Sequence, residues 1–152
     1  MSNPSKDLVE VEGALRVVIE NLIDAQEGLQ KLGDEAKSEL LKQFFLSESL
    51  KRAQFRGDLE TILHQEGVKD IHETGTTAGT FVRAWTSLKA KLGGTEHALL
   101  EAAEEGEVSV LEAYADAIKK DLPRPIRDVL ADQVVEIGLS LEYARAARES
   151  TK

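Results

Sequence analysis

The sequence has no cysteine, which excludes disulfides, thiolate metal sites and thiol catalysis. It has three prolines, Pro4, Pro123 and Pro125, so every stretch between Pro4 and Pro123 is free of a proline break. It has three histidines, too few and too scattered for a Ser-His-Asp arrangement. No apolar run approaches the roughly 20 residues that span a bilayer. The stretch Met1–Asp7 is polar, without the apolar segment of a signal peptide. The expected compartment is therefore the cytoplasm, in a bacterium. Positive charge is also scarce: 28 acidic residues against 19 basic ones leave a net charge of −9. Such a chain repels nucleic-acid phosphates and anionic lipid, so neither nucleic acid nor membrane is an expected partner.

What is abundant is Leu, Ala, Glu and Lys in helical periodicity. Leu8, Val11, Leu15, Val18, Leu22, Ala25, Leu29 and Leu32 recur in steps of three and four, the seam of a bundle helix. Gly33 is expected to stop this first helix and Asp34 to cap the second. The second runs to Glu66 with the seam Leu41, Phe45, Glu48, Arg52, Phe55, Leu59 and Ile62, and Gly67 ends it. The polar segment His72–Thr77 reads as loop. Phe81, Trp85, Leu88 and Leu92 mark one face of a shorter helix closed by Gly93 and Gly94, with Phe81 and Trp85 as packing anchors.

A third long helix is expected from Thr95 to Lys120 with the seam Leu100, Ala103, Glu107, Leu111, Tyr114 and Ile118, and with Gly106 in its middle. Pro123 and Pro125 open the last, which runs to Arg148 with the seam Ile126, Leu130, Gln133, Ile137, Ser140, Ala144 and Ala147. The spacing predicts one all-α domain over residues 8–148, flanked by flexible residues 1–7 and 149–152. It is an antiparallel four-helix bundle with a short extra helix in the long crossover between its second and third long helices, the ferritin-like arrangement.

Exceptions to strong seams are informative. Gln26, Glu48, Glu107 and Gln133, one per long helix, fall near the middle of apolar stripes, and Arg52 lies one turn beyond Glu48. Ferritin-like di-iron sites place a Glu on each of two helices and a Glu-x-x-His pair on each of the other two. Here Lys51 follows Glu48 by three, Glu136 follows Gln133 by three, and two of the four Glu positions are Gln. His64 projects opposite its seam, His72 falls in the loop, and His97 opens the third helix far from Glu107. Counting turns from Gly33 places Gln26 shallower than Glu48, so Glu48 and Glu107 are the pair expected to meet. Two buried carboxylates need a cation. Arg52 or Lys51 is the expected source, giving a buried network of Glu48, Lys51, Arg52, Glu107, Gln133 and Gln26. A metal held by Glu48, Glu107 and Glu136 is the rival. Tyr114 and Tyr143 read as core-edge residues with wet hydroxyls.

Several stretches carry a family resemblance. Asp24-Ala-Gln-Glu-Gly28, the Arg52, Phe55, Leu59 and Gly67 set, Gly79-Thr-Phe-Val-Arg-Ala-Trp85 followed by Leu88-Lys89, and Gly106-Glu107 with Tyr114 match patterns of an uncharacterised bacterial family. The chain resembles, over Leu15 to Arg148, this domain of unknown function of the ferritin-like superfamily. Leu29 and Glu48 depart from it, standing where aromatics are common. The resemblance implies a ferritin-like fold and no activity.

The function expected from these residues is non-enzymatic, exercised through self-association or partner binding, with a second copy as the expected partner and no cofactor. The alternative is a divergent di-metal carboxylate protein that uses iron or manganese in iron oxidation, storage or peroxide-related protection. No residue pattern points to a small-molecule ligand.

Overall fold

A computed structural model describes residues 4–68 and 80–151. Among them are five helices and no strand: α1 (Pro4–Glu35), α2 (Glu39–Gln65), α3 (Thr80–Leu92), α4 (Glu96–Ile118) and α5 (Arg124–Ser150). The expectations for His72, Gly75, Thr77 and Gly79 lie outside the described residues.

The seam of α1 is buried as its spacing predicts, from Val11 through Leu15, Val18, Leu22, Ala25 and Leu29 to Leu32. Its limits differ from the expectation, since it starts before Leu8 and passes through Gly33 to Glu35. Gly33 has another use here. A Cβ at this position would lie 2.7 Å from Leu46 Cδ2, so the missing side chain lets α1 and α2 approach closely. The cap of α2 is Ser38 rather than Asp34. Its Oγ accepts a hydrogen bond from the Leu41 N–H at 3.3 Å, satisfying one of the free amides of the first turn. At the far end Gly67 adopts φ +100°. Its N–H donates to the His64 carbonyl and that of Val68 to the Leu63 carbonyl, a Schellman closure that requires a left-handed residue.

Thr95 caps α4 by accepting from the Ala98 N–H at 3.1 Å. Gly106 is buried mid-helix and α4 runs through it unbroken. Pro123 flanks α5 and Pro125 sits in its first turn, where a missing N–H leaves no hydrogen bond unmade. No described helix is long and apolar enough to cross a membrane.

The helices pack as two hairpins. α1 lies against α2, α4 against α5, and α1 against α4, whereas the backbones of α2 and α5 stand farther apart. Two bonds at one end establish the directions. The Ser38 N–H donates to Glu96 Oε1 at 3.1 Å, so α2 and α4 begin together. His97 Nδ1 lies 3.0 Å from Thr151 Oγ1, so α5 finishes there too. Hence α2 and α4 run one way and α1 and α5 the other. The segment after α2 must return the length of the bundle before α4 starts. On that return α3 buries Ala84, Trp85 and Leu88 against α1 and α4. The side chains of Phe81 and Leu92, assigned to the same face, lie outside the described residues.

Candidate functional site

The polar positions on the core faces of α2, α4 and α5 converge in the interior. Glu48, Arg52, Glu107, Gln133 and Ser140 are all buried, and Arg52 is wholly so. One nitrogen of Arg52 serves both acids. Nη2 donates to Glu107 Oε2 at 2.6 Å and to Glu48 Oε1 at 3.2 Å. Lys51, half exposed at the rim, reaches Glu48 Oε2 at 3.1 Å. The guanidinium carbon also lies 5.6 Å from the centre of the Phe55 ring, a cation–π contact. Two carboxylates and one guanidinium thus meet in the interior, with the Lys51 ammonium at its edge. There the desolvation penalty is offset only when the charges are paired.

The pairing is incomplete. Arg52 Nε and Nη1 and Glu107 Oε1 are buried without a hydrogen-bond partner among the described residues. Burial accordingly pushes the Glu107 carboxyl above its ordinary value of 4.5. The charge of Arg52 and its hydrogen bond oppose that rise, the Glu48 charge reinforces it, and the Ser140 hydroxyl favours the carboxylate. A consequence for stability follows by linkage. An acid whose folded pKa lies above its unfolded one adds stability that is complete below the unfolded value and is lost as pH rises through the folded value. Urea midpoints taken from neutral pH downward should therefore show a stabilising component on approach to the ordinary carboxylate range. Glu107→Gln, which cannot titrate, should lack that component. Identical pH profiles for the two proteins would contradict the assignment.

A second buried pair adjoins the first. The Tyr114 hydroxyl donates to Gln133 Oε1 at 2.6 Å, and Gln133 Nε2 donates to the Phe55 carbonyl at 3.4 Å. Burial raises the Tyr114 hydroxyl above its ordinary value of 10.0, so it stays protonated and acts as the donor. Tyr114 is thus an interior residue with a satisfied hydroxyl rather than a core-edge one with a wet hydroxyl. Tyr143 is 39% exposed and packs against Phe44 with ring centres 4.3 Å apart and planes tilted by 33°. Tyr114→Phe should leave Gln133 Oε1 unpaired and cost about 1–3 kcal/mol in denaturant unfolding. Tyr114→Phe with Gln133→Leu should recover much of that loss, since both polar partners are then gone.

Gln26 is not bound into this cluster. Its side chain is half buried, its Oε1 has no hydrogen-bond partner among the described residues, and its backbone carbonyl accepts from Ser49 Oγ at 2.8 Å. That bond also corrects the depth count. Gln26 stands level with Ser49, beside Glu48, because the turn lies at residues 36–38 and not at Gly33. Glu136 is exposed on α5. His64 is exposed at the end of α2 and His97 is engaged with Thr151 at the opposite end. Sequence reasoning did not join Tyr114 to Gln133. The available signal was two polar-capable residues on facing seams of an antiparallel hairpin, counted outward from the Pro123 turn.

The donor set does not fit a di-metal centre. The gap between Glu48 and Glu107 is bridged by a guanidinium nitrogen, the i+3 partner of Glu48 is a lysine, and Gln133 is held by Tyr114. Among the described residues no three His, Cys, Asp or Glu side chains cluster closely enough to hold a metal ion.

The family model described as Domain of unknown function (DUF2383) matches residues 10–120, so it spans α2, α3, α4 and nearly all of α1 and stops before α5. No curated protein matches the chain.

Proposed function

From the premise that the chain belongs to the family described as Domain of unknown function (DUF2383), whose description names no activity, we propose a non-enzymatic bundle that acts by binding another protein surface. The observation that carries this reading is Arg52 Nη2 between Glu48 and Glu107. With that cation in place the core acids serve to register α2 against α4, and the chemistry of the interior is spent on structure. What remains available is the outside, where Leu139, Leu40, Leu50 and Val135 expose most of their apolar side chains.

We propose further that the fold is ferritin-like. Support comes from the two antiparallel hairpins, the opposed directions of α1 and α2, and the single long crossover bearing α3. On this reading the protein keeps the frame of a di-metal fold while an arginine takes the place of its ions.

Two measurements test the proposal together. Elemental analysis of protein purified without chelators, and again after aerobic incubation with iron(II) or manganese(II), should find far less than one metal ion per chain. Chelation should leave the urea midpoint unchanged. One or two ions per chain, lost in Glu107→Met, would replace this reading with the di-metal carboxylate alternative.

A further inference from the structure

We infer that the groove between α2 and α5 is a docking site for a cationic amphipathic helix of a partner protein. The inference rests on the binding reading above and gives it a place and a partner chemistry. The backbones of α2 and α5 stand farther apart than those of the other adjacent pairs in the bundle, and the two helices meet through side chains such as Phe44 with Tyr143 and Gln133 with the Phe55 carbonyl. Two hollows of about 200 and 380 Å³ run along the resulting seam and share Glu136 on their walls. The distance from Phe44 to Asp58 along α2 is 14 residues, or about 21 Å at 1.5 Å per residue, room for roughly four turns of an added helix.

The groove has two unlike ends. One carries the apolar surface, with Leu139 66% exposed beside the tilted Phe44 and Tyr143 ring pair, next to the mutually paired Glu48 and Lys51. The other is acidic, lined by Asp58, Asp132 and Glu136, all exposed and none in a salt bridge among the described residues. The one lysine on the rim, Lys51, is held by Glu48. An occupant must therefore bring an apolar ridge for the first end and cations for the second, which is what a basic amphipathic helix offers. A second copy fits less well. A twofold interface sets the same patch against itself, so joining the apolar ends leaves the three acids of each copy without a cation, and each chain carries −9.

The test uses the full chain and a fluorescein-labelled synthetic helix with leucines on one face at its first half and lysines on that face at its second. Fluorescence anisotropy should show saturable one-site binding that weakens with added salt. Leu139→Glu should weaken it about tenfold or more, and Asp132→Lys with Glu136→Lys about as much, each with unchanged far-ultraviolet circular dichroism because these side chains are exposed. A scrambled peptide of the same composition, and one with glutamate for lysine, should bind much more weakly. Binding that is absent, or indifferent to the scramble and to the groove substitutions, overturns the inference. Sedimentation of the unlabelled protein at two concentrations separates the remaining cases. A dimer abolished by Leu139→Glu would make a second copy the occupant, overturning this inference while the binding reading stands. A monomer that ignores the peptide would count against both.

Discussion

Arg52→Met should lower the unfolding free energy by about 3–5 kcal/mol, because it leaves carboxylates in the core without the charge that keeps them there. Glu48 retains Lys51, but Glu107 loses the cation that pairs with it while remaining almost wholly buried, with 1% of its side chain exposed. Glu107 must then take up a proton to stay inside. The loss should therefore be greatest at alkaline pH and should shrink as the pH falls, as two-state urea titrations at several pH values would show. The companion variant separates charge from shape. Glu48→Met, Arg52→Leu and Glu107→Met together remove the three buried charges at once, leaving Lys51 half exposed at the rim, and should restore stability to near the native value or above it, since buried ion networks commonly give no net advantage over apolar packing. A loss below about 1 kcal/mol in Arg52→Met would mean that the arginine does not neutralise a buried acid.

Trp85→Ala should cost about 3–5 kcal/mol through the cavity it opens between α3, α1 and α4. Trp85 is 2% exposed and is the largest side chain holding the crossover helix to the bundle. Around it the outer attachments are weak: Lys89 lies 5.6 Å from the ring and 3.5 Å from Glu35, both at the surface. The variant should lose α3 first. Limited proteolysis should cut within residues 80–92 while α1, α2, α4 and α5 persist, with circular dichroism falling only by the share of one short helix. Trp85→Phe should cost much less, because it keeps a ring in the site and removes an indole N–H that is buried without a partner. Equal losses for the two variants would show that ring packing is not what holds α3.

The two substitutions sort the interior into parts of different legibility. The apolar seams could be read residue by residue. Leu15, Val18, Leu22, Phe45, Leu59, Leu100, Leu130 and Ile137 stand at three- and four-residue steps and are all buried. Glu48, Arg52, Glu107 and Gln133 were conspicuous because they interrupt those steps, and their burial follows from the same geometry. Ile62, Leu111 and Ala147 are only partly buried. A helix with 3.6 residues per turn drifts off a fixed seam, and Leu63 and Val110 complete the contact in place of Ile62 and Leu111. The turn after α1 was misread because glycine has two uses. It ends helices and it also permits close approach, and only the position of Leu46 decides between them.

Taken alone, the amino-acid order determined which of the described stretches are helical, most members of each core face and the shortage of histidine beside the core acids. It could do so because periodicity, caps and turn residues act over a few positions along the chain. Tertiary structure alone decided which nitrogen of Arg52 holds both acids, that Tyr114 is the partner of Gln133, that Gln26 stands outside the cluster, and that α2 and α5 leave a groove. Those depend on the axial offset and separation of helices distant in sequence. A shift of one turn, about 5.4 Å, exceeds the reach of any hydrogen bond, so local pattern cannot specify them.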